Sequence, residues 1–147
     1  MKFDIRPLHR NDLTSESGFF ETLGNLRSVG DLSPSELEEI FGDIEGNRQH
    51  AIYVADHNGR IIGAITLLVE RKFIRQGCRI ARIEDVATHR DFQKQGVATK
   101  LLSYAQNMGT HYRCLRAQLA CLQNLVPFYE QFGFEVHGVE MRKDLCS

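Results

Sequence analysis

The segment RDFQKQGVATKLL (residues 90–102) has residue types and spacing that could bind an anion. Apolar residues recur at helical spacing from Val97 onwards, which predicts a helix over about residues 95–108. The first N–H groups of a helix lack intrahelical partners, and the helix dipole favours negative charge there. Gly96 would let a ligand approach the backbone, and Lys94 would attract a phosphate. An ordinary strand–turn–helix connection explains the segment equally well.

Side chains that could act on a reacting group lie in two other segments. Glu84 and Asp85 are adjacent carboxylates inside an apolar strand pattern, where alternation puts them on opposite faces unless a β-bulge intervenes. Either carboxylate could instead form a structural ion pair with Arg79 or Arg82. Tyr129 offers a hydroxyl donor, although its apolar neighbours are equally typical of a core aromatic residue.

A local basic patch stands out in a chain that is nearly neutral. The chain has 18 Lys and Arg against 19 Asp and Glu, a formal net charge of −1. The segment ERKFIRQGCRIAR contains one acidic residue, Glu70, and these basic ones: Arg71, Lys72, Arg75, Arg79 and Arg82. Convergent cations suit a phosphate. A solvated hairpin and a nucleic-acid contact are the alternatives, but Phe73 is the segment's only aromatic residue for base stacking.

Length and composition set limits on the class of protein. A chain of 147 residues predicts a single domain over 1–147. The charge balance argues against nucleic-acid or membrane binding driven by net charge, and no apolar run approaches the roughly 20 residues of a membrane span. The cysteines and histidines show no metal-ligand spacing, so no metal is expected. No signal peptide is recognisable, which predicts reduced thiols and a cytoplasmic location.

Local signals predict the elements that must position these groups. Ser33, Pro34 and Glu36 form the start of a capped helix, and Asn58–Gly59 joins two apolar runs as a hairpin turn. The other predicted elements are a strand at 3–6, a helix at 11–27 capped by Asn11 or Asp12, strands at 79–88 and 114–121, a short helix from Pro127 to Gly133, and a last strand at 134–141. The order β-α-α-β-β-β-α-β-α-β predicts an α/β (α+β) sandwich around a mixed sheet.

Two of these segments resemble signatures of one superfamily. QKQGVA resembles the (Q/R)xxGx(G/A) acyl-CoA loop of the GNAT N-acetyltransferases, and NLVPFYEQFGF resembles their second signature. The segments LRSVGDLSPSE, ERKFIRQG, RIEDVAT and CLQNLVPFYEQFGFEVHGVEM are similar, in order and spacing, to the glucosamine-6-phosphate N-acetyltransferase family. The resemblance covers almost the whole chain. It implies the GNAT acyl-CoA N-acyltransferase fold, a mixed central β-sheet flanked by helices, with acetyl-CoA as co-substrate.

The resemblance also implies roles for individual positions. Those expected to bind acetyl-CoA are Val86, Ala87, Thr88, Gln93, Lys94, Gln95, Gly96, Val97, Ala98, Thr99, Asn124 and Tyr129. Those expected to bind the sugar phosphate are Arg27, Lys72, Phe73, Ile74, Arg75, Glu84, Asp85 and Arg116. Tyr129 would donate to the departing thiolate, and the Val86 N–H would stabilise the oxyanion. The base would be the Ala120 carbonyl, with Glu84 acting through a water as second choice.

The implied reaction transfers acetyl to the 2-amino group of glucosamine 6-phosphate, in UDP-N-acetylglucosamine synthesis, by a homodimer. Alternatives are the same fold acting on a protein N-terminus, a lysine or a polyamine, or a non-catalytic acyl-CoA-binding regulator. The chain departs from the family's usual residues at Arg27, Arg75, Lys94, Ala98, Ala120 and Leu125. These departures concern the sugar and CoA contacts more than the type of reaction.

Overall fold

Residues 1–146 are described by a computed structural model. Its strands are β1 (Asp4–Pro7), β2 (His50–His57), β3 (Arg60–Arg71), β4 (Arg79–Thr88) and β5 (Arg116–Leu119). Its helices are α1 (Phe19–Leu23), α2 (Pro34–Glu45), α3 (Ile74–Gly77), α4 (Val97–His111) and α5 (Val126–Glu130). Short 3-10 turns occupy Arg10–Asp12, Arg90–Phe92 and Gln123–Leu125.

The strands form one mixed sheet in the order β1-β2-β3-β4-β5. Strands β1 to β4 are antiparallel, and β5 runs parallel to β4. The predicted hairpin turn is confirmed, because Asn58 and Gly59 both have positive φ angles (52° and 84°), as a tight type I′ turn requires. The parallel pairing stops at Ile83 and Leu119. Within residues 1–146, the β4 edge over 84–88 therefore has no strand partner on the β5 side.

Helices cover both faces of the sheet, as predicted. Leu101 and Leu102 of α4 are fully buried against one face, and Phe19 of α1 packs against the other. Gly63 of β3 makes the α4 contact possible, since a Cβ there would lie 2.5 Å from the Val97 Cγ1 atom. This packing of α4 against the sheet holds the N-terminus of α4 in a fixed position near the end of β4.

The predicted helix over 11–27 is wrong at both ends. Only Phe19–Leu23 is α-helical, after the 3-10 turn and an irregular stretch. Asp12 does not cap this helix, because its carboxylate accepts hydrogen bonds from both terminal nitrogens of Arg6 (2.8 and 2.9 Å) and from the His9 N–H (2.7 Å). An ion pair with Arg6, six residues earlier, and a bond within the 3-10 turn therefore replace the helix cap that the sequence suggested.

The predicted last strand over 134–141 is also wrong. The segment has no strand hydrogen bonding, and its apolar side chains point into solvent: Val136, Val139 and Met141 are 74–90% exposed. Apolar residues recur along the segment, but their two-residue spacing breaks at Gly138, because Val139 follows Val136 by three residues. Within one chain this segment does not pair with β5.

Asp12→Asn is expected to lower the free energy of unfolding at pH 7 by about 2 kcal/mol, the scale of a hydrogen bond between charged groups. Burial alone would raise the pKa of the Asp12 carboxyl, but the bonds from Arg6 and the His9 N–H hold this pKa below its usual value. A lowered folded-state pKa means that the stabilisation is present above the unfolded-state pKa of about 3.9 and is lost as the pH falls through the lower folded-state value.

The check is denaturant unfolding of wild type and variant between pH 7 and pH 2.5. Wild type should lose more stability on acidification than the variant does. Asp43→Asn on the exposed side of α2 is the control, and it should leave the pH dependence unchanged. Parallel pH curves for wild type and Asp12→Asn would contradict the assigned role.

Candidate active site

A β-bulge in β4 decides where the paired carboxylates lie. Glu84 is opposite Thr66 and Ala87 is opposite Ala64, so two β4 residues, Asp85 and Val86, share one position on β3. Asp85 has a left-handed backbone (φ 49°) and is exposed. The bulge breaks the alternation, and the extra residue lies outside the regular ladder. With the neighbouring β5 edge absent here, backbone groups of the bulge are available to a ligand.

The loop over residues 93–96 leads into α4 and leaves backbone N–H groups free at the start of that helix. Gly96 is the N-cap of α4 with φ 84°, and the first helical hydrogen bond runs from the Lys100 N–H to the Gly96 carbonyl (3.1 Å). The N–H groups of 97–99 therefore have no intrahelical acceptor. A Cβ at Gly96 would meet no protein atom within 4 Å, so the space above the loop is open. Lys94 has a left-handed φ of 60°, a conformation that favours glycine.

A cleft of about 750 Å³ lies between β5, α5 and the segment that follows α5. Tyr129 lines it and is only 9% exposed. Burial is the main cause that raises the pKa of the Tyr129 hydroxyl, and the nearby Cys121 thiol adds to it. The hydroxyl therefore stays protonated around neutral pH and can donate a hydrogen bond. The Ala120 residue, proposed from the sequence as a carbonyl base, lines the same cleft.

Two arginines from different strands, Arg82 and Arg116, line this cleft. Arg82 of β4 donates to the Gln118 side chain (3.2 Å), and Arg116 lies two residues before Gln118 on the same face of β5. The sequence placed Arg82 in the basic patch and as a possible ion-pair partner of Glu84 or Asp85, and it did not identify Gln118 or Cys121 as cleft residues. Alternation in RAQLA was the available signal, but the register with β4 was needed to use it.

The remaining predicted site residues are not all brought together in one chain. The residues Lys72, Phe73, Ile74 and Arg75 form the β3–β4 hairpin tip, where Phe73 is fully exposed and the Lys72 ammonium lies 2.6 Å from the Glu70 carboxylate. Glu84 follows Arg79 by five positions on β4, which is about 17 Å along a strand. The tip is therefore remote from the bulge within one chain.

Two further predicted residues flank the site. Arg27 is exposed after α1, close to Asn25, whose side chain donates to the Thr88 carbonyl (2.9 Å) at the end of β4. Asn124 lies in the exposed 3-10 turn before α5. Both are near the ends of elements that carry the bulge, the loop or Tyr129, and neither lines the cleft.

Comparison with known proteins identifies the family. A profile of the acetyltransferase (GNAT) domain matches residues 48–136, which include the bulge, the loop and Tyr129. The chain belongs to the GNAT acetyltransferase family. GNAT acetyltransferases use acetyl-CoA, and the mixed sheet with its flanking helices is the GNAT fold.

Its relatives within the GNAT family carry one recurring description. The chain is 31% identical to a glucosamine 6-phosphate N-acetyltransferase of Trypanosoma brucei brucei, over 97% of this chain and 95% of that protein. It is 30% identical to a probable glucosamine 6-phosphate N-acetyltransferase of Oryza sativa, over 93% and 84% of the two chains. The crystal structure of glucosamine-6-phosphate N-acetyltransferase from Arabidopsis thaliana superposes with a TM-score of 0.92 at 26% identity, covering 99% of this chain and all of the other.

The described residues 1–146 contain neither a cluster of metal-binding side chains nor a membrane-spanning helix. No group of three or more His, Cys, Asp or Glu side chains over residues 1–146 is placed to hold a metal ion. Within the same residues, no helix combines the length and apolar character needed to cross a membrane.

Proposed function

We propose that this protein transfers the acetyl group of acetyl-CoA to the 2-amino group of D-glucosamine 6-phosphate. The products are N-acetyl-D-glucosamine 6-phosphate and CoA, which places the enzyme in UDP-N-acetylglucosamine biosynthesis. The observation that carries this proposal is similarity over nearly the whole chain to relatives of that description, together with a cleft that is lined by two arginines and a buried tyrosine. A cytoplasmic location remains a prediction from the sequence.

Acetyl-CoA would bind along the end of β4 and the start of α4. The open N-terminus of α4 suits the pyrophosphate, because several N–H groups and the helix dipole point at one place. The unpaired β4 edge over 84–88 suits the extended, amide-containing arm of the cofactor, which can hydrogen-bond as an added strand does. The arm would then carry the thioester to the bulge at Asp85 and Val86.

The chemistry needs one proton removed and one supplied. The neutral sugar amine attacks the thioester carbonyl carbon, and the Val86 N–H stabilises the resulting oxyanion. As the carbon–sulfur bond breaks, the Tyr129 hydroxyl donates to the thiolate. The Ala120 carbonyl would accept a hydrogen bond from the attacking amine, and Glu84 acting through a water is the alternative for removing the amine's proton. Bringing the two substrates together supplies much of the rate enhancement.

A thiol-release assay with acetyl-CoA and a panel of amines tests the reaction. Glucosamine 6-phosphate should be acetylated with the highest kcat/KM, ahead of glucosamine, a lysine peptide and a polyamine. Mass spectrometry should show a gain of one acetyl group on the sugar. Faster turnover of the peptide or the polyamine would replace the sugar by another amine, and no thiol release with any acceptor would favour a non-catalytic acyl-CoA-binding protein.

Tyr129→Phe is expected to lower kcat by roughly tenfold with little change in KM, as when one transition-state hydrogen bond is lost. The ring and its packing against Phe128 remain, so the melting temperature should hold. Single-turnover measurements check that the chemical step limits the rate. Phe128→Leu is the control, since it changes the packing around Tyr129 and keeps the Tyr129 hydroxyl. A kcat within twofold of wild type would assign Tyr129 to the core alone.

We also propose a homodimer in which each copy completes the site of the other. The hairpin tip at 72–75 is too far from the bulge of its own chain to contact a sugar bound at that bulge. The tip nevertheless presents a fully exposed Phe73 and basic side chains. The segment over 134–146 exposes several apolar residues, and β5 is a sheet edge. A second copy could cover the hairpin tip, this segment and the β5 edge, because an exposed edge pairs readily with an added strand.

Sedimentation at micromolar concentration is therefore expected to give a species of twice 16.8 kDa. Val139→Asp should shift it towards the monomer and reduce activity in parallel. Ile40→Asp is the control, since this exposed residue lies on α2. A fully active wild-type monomer would contradict the dimer and leave the proposed reaction intact.

A further inference from the structure

A buried histidine lies directly in front of the loop that the proposed function assigns to the acetyl-CoA pyrophosphate. His89 follows the last residue of β4 and is 1% exposed. It takes no part in the proposed chemistry, and the sequence analysis found no metal spacing around it. We propose that His89 is a positioning residue, which fixes the start of the acyl-CoA loop against helix α1. The inference rests on the proposed function, because it concerns the loop that would bind the cofactor.

Both ring nitrogens of His89 have defined partners. The Asp91 N–H donates to Nδ1 (3.1 Å), so Nδ1 is an acceptor and carries no proton. The ring proton therefore lies on Nε2, which is 3.3 Å from the Glu21 carboxylate of α1. One side of the imidazole thus holds the turn that follows β4, and the other side holds α1.

The turn held by Nδ1 leads straight into the loop. The Phe92 N–H donates to the His89 carbonyl (2.8 Å), which closes the 3-10 turn over Arg90–Phe92, and Gln93 follows. The bond from the Asp91 N–H to the side chain two residues earlier has the pattern of an Asx turn. It fixes the direction in which the chain leaves the sheet, and so the place where Gly96 and the α4 N-terminus stand.

The surroundings of the imidazole leave it little freedom. Phe92 packs edge-on against the ring with centroids 5.6 Å apart, and the Arg60 guanidinium lies over Phe92. An Arg60 nitrogen lies 3.2 Å from Nε2 but cannot donate to it, because Nε2 carries the ring proton; it lies 3.4 Å from the same Glu21 oxygen, so the carboxylate bridges the two side chains. The charged groups around the ring are Glu21 from α1, Arg60 from β3 and Asp91 from its own turn, with a carboxylate oxygen 3.9 Å from Nδ1.

A polar bridge at this place does more than fill space. A leucine could occupy a buried site of this kind without the cost of desolvating an imidazole. Asn25 makes a second link between the same two regions, through its bond to the Thr88 carbonyl. Two hydrogen-bonded links therefore tie the α1 segment to the point where β4 gives way to the loop.

Three substitutions separate positioning from packing. His89→Leu keeps much of the volume and removes both imidazole contacts, to the Asp91 N–H and to Glu21, whereas His89→Asn keeps an acceptor for the Asp91 N–H and loses only the reach to Glu21. Glu21→Gln keeps an acceptor for Nε2 and removes the charge. Thr22→Val is the matched control, because the buried Thr22 hydroxyl bonds the Ile61 carbonyl (3.2 Å) in the same α1–β3 contact, away from the loop.

The measurements are the Kd of CoA by calorimetry, and kcat and KM for both substrates. His89→Leu should raise the Kd of CoA and the KM of acetyl-CoA by roughly fivefold to tenfold, the scale of one lost cap, with kcat at saturation within about twofold. His89→Asn should restore most of that affinity, and Glu21→Gln should change it less than His89→Leu does. Thr22→Val should lower the melting temperature without changing the Kd.

The outcomes are distinct. Equal CoA affinity in His89→Leu and wild type, or a loss in Thr22→Val equal to that in His89→Leu at a matched melting temperature, would overturn the positioning role. A rise in the Kd of CoA in His89→Asn as large as that expected for His89→Leu would do so as well, and this comparison is made with wild type, so it does not need His89→Leu to fold. Absence of CoA binding by the wild type would instead reject the proposed function, since every variant is compared with it.

Discussion

Gly96→Val is expected to weaken acetyl-CoA binding by about tenfold to a hundredfold, as the loss of one charge-assisted hydrogen bond to the pyrophosphate already would. No protein atom lies within 4 Å of the position that the new Cβ would take, so the added side chain would enter the space left for the ligand. The φ angle of 84° is also unfavourable for valine, which would shift the backbone and misdirect the N–H groups.

A matched control removes the strain argument. Gly59 has the same φ of 84° and equally open surroundings, but it lies in the β2–β3 turn. Gly59→Val should therefore lower stability by a similar amount and leave the Kd unchanged. Lys94→Ala should cost less than about threefold, because it removes a solvated charge and no backbone donor. Equal calorimetric losses for Gly96→Val and Lys94→Ala would reject the backbone account of binding.

Glucosamine 6-phosphate is expected to exceed glucosamine by at least roughly tenfold to a hundredfold in kcat/KM, because a phosphate dianion gains charge-assisted bonds that the free sugar lacks. Arg82 and Arg116 lie in one cleft with Tyr129, so they are the cations best placed to read the phosphate. Arg116→Ala should narrow the difference between the sugars by harming the phosphorylated one. Added salt should do the same, since it screens exposed charges.

Lys72→Ala addresses the same contact from a second copy. Its ammonium is paired with Glu70 at the hairpin tip, which is remote from the bulge of the same chain. A loss of phosphate selectivity in Lys72→Ala would therefore mean that the tip reaches the sugar across a dimer interface. Arg48→Ala is the control for net charge, since this exposed residue lies ahead of β2. Equal kcat/KM for the two sugars would reject phosphate recognition and leave the basic segment as a solvated hairpin.

Features that depend on a few neighbouring residues could be predicted from the sequence. The capping box at Ser33 and the Asn58–Gly59 turn are both present, because their stabilising bonds lie within a few residues. The apolar face of α4 is buried as predicted. The loop at Gly96 belongs to this group, because a glycine before a helix can adopt a positive φ without contacts to distant residues. The single-domain interpretation over 1–147 remains a prediction.

Features that depend on pairing between distant segments could not. The register of β3 against β4 places the bulge at Asp85, and the register of β4 against β5 brings Arg82 to Gln118. His89 is a loop histidine in the sequence and a buried bridge in the fold, because Glu21 comes from a different element. The segment over 134–141 was predicted as a strand, yet within one chain it does not pair with the β5 edge, because a strand-like sequence does not by itself determine which edge it meets. Local sequence determined what each segment can become, and tertiary pairing decided which groups meet, because side-chain partners across a sheet are set by register and not by position in the chain.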